Sequence, residues 1–218
     1  MIKSTAGKST VKRAALFAYA AGATGILANL FLIALYVVLG LQAGGPEAQT
    51  PSLGSAGELS GSASDLVGSL SVACMIPVAL VLGGRLPRRR AVRLTQAAGL
   101  TAMAVLTLGG PLLVLGVLAF EVATPIAMAA WIILSLWLLL VNRRLRLSEA
   151  LPIRVARLGE ALGVGLLAGY LVVGLGLLLP WMSWPQLVVF GMGGVLGVIG
   201  MLGIPVWFLL LGRHLGKS

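Results

Sequence analysis

The stretch GRLPRRRAVRLTQAAGLTAMAVLTLGGPLLVLGVLAFEVATPIAMAAWIILSLWLLLVNRRLR, from Gly84 to Arg146, decides the fold. It opens on Arg85, Arg88, Arg89, Arg90 and Arg93 and closes on Arg143, Arg144 and Arg146, and between Arg93 and Arg143 the only charged residue is Glu121. A bilayer core about 30 Å thick is crossed by about 20 mostly apolar helical residues. The runs on either side of Glu121, Leu94 to Phe120 and Pro125 to Val141, each meet that need. Arginines at both far ends and an acid at the bend make the stretch a membrane hairpin whose ends lie on one side.

Four more uncharged runs flank this hairpin: Ala14 to Leu41 and Leu66 to Gly84 before it, Ala161 to Leu179 and Leu187 to Leu211 after it. The expected fold is therefore all-α, a polytopic membrane helix bundle with six transmembrane helices in one membrane domain, residues 1–218. Spans are expected at about 14–41, 66–84, 94–120, 125–141, 161–179 and 187–211. Each run is apolar around most of its circumference, which argues against a helix lying flat on the membrane. Composition agrees. Of 218 residues 59% are hydrophobic and 10% charged, against about 25% charged in soluble domains. A soluble globule is excluded by that scarcity of charge, and disorder by the abundance of apolar side chains.

The formal charge of +10 resolves once it is sorted by side. Lys3, Lys8, Lys12 and Arg13 precede the first run, and Arg213 and Lys217 follow the last. Loops 85–93 and 142–160 hold the remaining arginines, including Arg154 and Arg157. All sixteen basic residues thus share one side with Glu149 and Glu160, a net of +14, while Glu47, Glu58, Asp65 and Glu121 leave −4 on the other. Since Lys and Arg are retained inside, both termini are expected to be cytoplasmic. The basicity then records orientation, and no nucleic-acid partner is expected. Twelve Arg against four Lys, with abundant Ala, Gly and Leu, point to a GC-rich bacterium and so to the bacterial cytoplasmic (inner) membrane.

Two local patterns mislead. The basic N-terminus with its apolar run resembles a secretory signal, but the run far exceeds the roughly 7–15 residues of a signal core. Gly7-Lys8-Ser9-Thr10 resembles a phosphate loop, yet Ile2 stands where its first glycine belongs. Outside, loop 42–64 is rich in Gly, Ser, Ala and Pro, with turn signals at Gly44-Gly45-Pro46 and Thr50-Pro51-Ser52. It reads as a connector, with a lid over an external site as the competing reading. Thr124-Pro125 reads as a helix start, and Trp181 and Trp184 as outer headgroup anchors. Inside, Leu151, Val155 and Leu158 are spaced to lie on the anionic inner leaflet beside Arg154 and Arg157, or against a cytoplasmic partner.

Small residues recur at helical spacing in three runs: Ala14, Ala18, Ala21, Gly25 and Ala28; Ala161, Gly165, Gly169 and Gly176; Gly193, Gly197 and Gly200. Such faces let helix backbones approach closely, within the bundle or against another subunit. Pro77, Pro111 and Pro205 each remove a helix hydrogen bond and are candidate kinks. "LGGP" at 108–111 and "LGIP" at 202–205 share an offset of 94 residues that would suit an inverted repeat, which the first run fits poorly.

Chemistry is constrained by what is missing. His214 and Cys74 are each the sole residue of their type, so no metal cluster or intramolecular disulfide can be built, and no metal or cofactor is expected. Ser71 and Ser135 have no base in reach, and Asp65 and Glu121 only approach the outer edge, so no catalytic residue is assigned. With no Asp, Glu, His, Lys or Arg inside the expected spans, ion-coupled transport is disfavoured. The candidates for solute or helix contact are Asn29, Glu121, Ser135, Tyr170, Pro111 and Pro205. Asn29 is the most expensive of these to leave unpaired, and an interhelical hydrogen bond is its plainest role.

Size, layout and the terminal "PVWFLLLGRHL" at 205–215 resemble small bacterial six-helix integral membrane proteins of unknown function. The layout is also similar to the substrate-binding subunits of energy-coupling-factor vitamin transporters. That resemblance implies docking to a coupling subunit through alanines four apart, here Ala14 and Ala18, although the outside loops lack the polar residues of a vitamin pocket. The expected function is a non-enzymatic carrier or substrate-binding membrane subunit for a neutral or hydrophobic solute. Its alternatives are a structural or assembly subunit of a larger membrane complex and, less favoured, a membrane-embedded enzyme. The lipid bilayer with its anionic inner leaflet is the expected partner, with a membrane-protein partner or a homo-oligomer besides.

Overall fold

A computed structural model describes residues 7–43, 55–87, 89–176, 178–180 and 183–217. Lys3, Glu47, Arg88, Trp181 and the turn signals at 44–46 and 50–52 lie outside the described residues. The chain is all-helical: α1 Lys8–Ala43, α2 Ser55–Gly84, α3 Arg90–Val114, α4 Phe120–Leu147, α5 Ile153–Gly176 and α6 Trp184–Gly216. All six are long and apolar enough to cross a membrane. In lipid, backbone groups have no water to bond, so an uncharged run satisfies them internally as a helix. The outward faces are apolar too: Leu16, Leu171 and Ile199 are 60–69% exposed, and apolar residues line the outside of every helix.

Most of the helices start before or end after the apolar runs, but α3 stops at Val114 rather than at the expected Phe120, and α5 at Gly176 rather than at Leu179. α2 starts at Ser55, so the second half of the expected outside connector 42–64 is helical and carries Asp65 well inside the helix. Its first turns are built from Ser, Ala and Gly, which give no hydropathy signal but continue a helix already nucleated by the run below. On the basic side, loop 142–160 contracts to 148–152, because α4 continues to Leu147 and α5 begins at Ile153. Arg146 at the end of α4 forms a two-pronged ion pair with Glu160 of α5, at 2.6 and 3.1 Å. The expected helix start at Thr124-Pro125 also moves. α4 begins a turn earlier, with Val122 and Ala123 N–H bonding the Ala119 carbonyl, and Pro125 lies inside the helix. Proline there costs only one bond near an exposed helix end, and the Thr124 hydroxyl turns back to the Phe120 carbonyl at 2.8 Å. α6 begins at Trp184, within the stretch 180–186 that precedes the expected span, and is capped by Ser183, which accepts from the Gln186 N–H at 3.4 Å.

Each helix packs against its sequence neighbours, and α1 closes on α6, making an up-and-down ring. The α1 small-residue face seals two of these contacts, with Ala14, Ala18, Ala21 and Ala28 buried. A Cβ on Gly22 would sit 2.9 Å from the Pro205 carbonyl oxygen, and one on Gly25 2.8 Å from the Pro205 ring. In α5 the contact face differs from the expected stripe. Gly163 meets α4 and Gly169 meets α6, whereas Ala161 is exposed and nothing stands within 4 Å of a Cβ on Gly165. On α6 Gly193 and Gly200 are contact positions, and Gly197 has open space beside it. Beyond Glu160, α5 is apolar all round, so hydropathy carries no information about the rotation of that part.

The basic-end half of the ring is filled with large side chains. Trp137, Trp207, Phe208, Met103, Leu145 and Leu211 are all at most 1% exposed. Their polar atoms are bonded. Trp137 Nε1 donates to Gln96 Oε1 at 3.1 Å, Gln96 Nε2 donates to the Ala79 carbonyl at 2.6 Å, and Trp207 Nε1 donates to the Val155 carbonyl at 3.0 Å. Arg85 reaches the Ala150 carbonyl at this end, and burial lowers the pKa of its guanidinium from the ordinary value.

The α4–α5 turn places Glu149 at φ 54°, a left-handed conformation that favours glycine. Glu149→Gly is expected to stabilise the protein by about 0.5–1 kcal/mol, read as a rise in thermal midpoint in mild detergent. No gain would show that the turn is not held left-handed.

Candidate functional site

The opposite half of the ring is hollow. A partly open cavity of about 410 Å³ lies among α1, α2, α3, α4 and α6. That volume falls within the roughly 300–1,000 Å³ of small-molecule sites. Its lining runs from Pro205, Ile204 and Ser71 in the middle of the ring to Leu118 in the α3–α4 connection. Small residues open the space: Gly25 and Ala28 on α1, Gly68 on α2, Gly109 on α3, Ala123 and Ala127 on α4. Gly110 serves a different purpose, since a Cβ there would strike the Asp65 carbonyl and Ser69, where α2 and α3 touch. The floor belongs to the aromatic half of the ring, with Trp131 on the cavity wall one helical turn and a half before Trp137.

Most polar groups in the lining are engaged. Ser71 Oγ donates to the Ala21 carbonyl at 2.8 Å, Ser69 Oγ to Leu106 at 3.2 Å, and Ser64 Oγ to Ala28 at 3.2 Å. Asn29 Nδ2 donates to the Met201 carbonyl at 3.3 Å, which ties α1 to α6 while the side chain borders the cavity. Asp65 is the exception. It is the only ionisable residue of the lining, it is exposed, and it has no hydrogen-bond or ion-pair partner among the described residues.

The residues singled out from sequence separate into two groups. Asn29 and Pro205 both line the cavity, on facing helices. Glu121, Ser135, Tyr170 and Pro111 do not. Glu121 is exposed in the first turn of α4, whose Phe120 and Thr124 line the cavity instead. Ser135 is fully buried, donating 2.7 Å to the Trp131 carbonyl, and its own carbonyl faces Gly163 across the α4–α5 contact. Tyr170 packs, partly buried, against the hydrophobic core, and Pro111 lies inside α3 next to the lining residue Gly110. Asp65 was legible in the sequence only as an acid at the edge of a span. What marks it is position inside α2, facing a cavity that four other helices complete. Among the described residues no group of His, Cys, Asp and Glu could hold a metal ion.

The chain matches no protein-family model, no curated protein and no solved structure.

Proposed function

We propose that the protein is a non-enzymatic multi-pass protein of the bacterial cytoplasmic membrane that receives a hydrophobic solute in this cavity, as a carrier or as the substrate-binding subunit of one. The cavity carries the reading: it is large enough for a small molecule, walled mostly by apolar side chains, and ends on a packed aromatic floor. With the basic end in the cytoplasm, the hollow half faces outward, and solute enters from the outside or from the outer leaflet. Access from both sides would then require movement of α6 at Pro205, which meets both the α1 glycines and the cavity.

Binding is testable through Trp131, because a bromine held beside an indole quenches its fluorescence. Para-bromobenzyl alcohol titrated against protein in zwitterionic nanodiscs is expected to quench saturably, and Trp131→Phe to remove the saturable part. Gly109→Leu fills the cavity from a position where a Cβ meets nothing within 4 Å, so it should weaken binding about tenfold or more at unchanged stability. Unsaturable quenching, identical in all three proteins, would sink the cavity reading.

A second reading, an assembly subunit of a membrane complex, draws on Gly165 of α5 and on Gly191 and Gly194 of α6, which leave open space on their helices. Close approach of a partner helix is what such positions permit. A monodisperse monomer in gentle detergent, with no copurifying protein, would count against it.

A further inference from the structure

Ionisable side chains within membrane helices are costly and belong to ligand, ion or counter-ion chemistry. The apolar runs of this sequence contain none, yet the helix that forms carries Asp65 ten residues in from its first residue, Ser55, and inside a stretch, Leu59–Gly84, apolar enough to cross a membrane. Four observations bear on its role. Asp65 lines the cavity, and no Lys, Arg or His shares that lining. No described residue pairs with it. The neighbouring hydroxyls of Ser64 and Ser69 donate to the Ala28 and Leu106 carbonyls and leave the carboxylate without their protons. All sixteen Lys and Arg of the chain are assigned by sequence to the opposite side, so no base of the protein is placed to neutralise it.

We propose that the occupant of the cavity is a cationic amphiphile: an apolar body of small-molecule size bearing one protonated amine or other organic cation, with Asp65 as its counter-ion. The apolar walls formed by Leu106, Leu113, Ile126, Met128 and Ile204 take the body. The charge is met at Asp65, on the hollow side, where a cation arriving from the outside finds a net-negative surface and no competing base. Asn29, whose Nδ2 is committed to the Met201 carbonyl, lines the same cavity. The inference rests on the cavity reading above and specifies the chemistry of its ligand.

Two probes of one shape separate the two ideas. Para-bromobenzylammonium and para-bromobenzyl alcohol are titrated in the same zwitterionic nanodiscs, with saturable Trp131 quenching as the readout. The ammonium is expected to bind the wild-type protein about tenfold more tightly than the alcohol, as a charge-assisted hydrogen bond implies. Asp65→Asn, which keeps the shape and loses the charge, should bring the two affinities together while the alcohol binds as before. Saturable binding of both probes with equal affinity to the wild-type protein would overturn the cation and leave the cavity standing. A preference for the ammonium that survives in Asp65→Asn would overturn the assignment to this carboxylate. Absence of saturable binding by either probe would remove both readings. Unchanged thermal midpoint of the variant, measured beside each titration, separates lost recognition from lost fold.

Discussion

Gly163→Leu is expected to destabilise the bundle by about 3 kcal/mol or more, while Gly165→Leu, two positions along the same helix, stays within about 0.5 kcal/mol of wild type. A Cβ on Gly163 would lie 2.7 Å from the Leu139 backbone nitrogen and 2.8 Å from the Ser135 carbonyl oxygen. These are main-chain atoms of α4, and they cannot rotate away as the tip of a side chain can. Relief requires α4 and α5 to separate, which loosens the Arg146–Glu160 pair as well. At Gly165 an added Cβ meets nothing within 4 Å, and leucine is the better helix former. Unfolding in mixed micelles of rising SDS fraction measures the difference. Equal midpoints for the two variants would mean that α5 is rotated from the orientation described.

Trp207→Ala is expected to cost about 3–5 kcal/mol. The indole is completely buried against α5, with its N–H on the Val155 carbonyl at 3.0 Å. In a membrane the released side chain meets lipid instead of water, so the hydrophobic transfer contribution is small. The cavity term remains, at about 24 cal/mol per Å³ of space left unfilled, and loss of the indole also removes the N–H bond to the Val155 carbonyl. Trp184→Ala is the control. That indole is 76% exposed at the start of α6, and its loss should shift the midpoint little, within about 0.5 kcal/mol. Similar losses at the two tryptophans would show that the filled half of the ring is not a packed core. Trp207→Ala should also deepen the cavity toward the basic end, so a larger apolar probe should gain affinity relative to a smaller one.

Different features were legible for different reasons. The arginines at Arg85 to Arg93 and Arg143 to Arg146 bracket α3 and α4 because charge cannot remain in the hydrocarbon, and that rule acts locally along the chain. The α1 face of Ala14, Ala18, Ala21 and Ala28 was legible because bulky residues such as Leu16 and Leu27 stand between its members and define the rotation. On α5 the surrounding residues are leucine, valine and glycine in every direction, so Gly165 and Gly163 look alike until α4 is placed. The start of α2 was hidden for another reason: Ser55 to Ser64 is compositionally a loop, and its helicity comes from continuation of the apolar run and from contacts such as Ser64 to the Ala28 carbonyl. That extension is what draws Asp65 into the helix.

Sequence alone determined six apolar helices, their alternating direction and the collection of basic residues at one end, because solvation by lipid or water depends on each segment's own composition. Tertiary structure decided what the ring encloses. Trp137, Trp207 and Phe208 fill one half, while Gly25, Gly68, Gly109 and Ala127 leave the other half hollow, and these residues come from separate helices up to about 180 positions apart along the chain. A cavity is a property of distances between helices, set by which small residues meet which large ones, and no single helix records it. Asp65 shows both contributions: its charge is written in the chain, and its place on the wall of an apolar chamber, with no partner among the described residues, exists only once four other helices have packed beside its own.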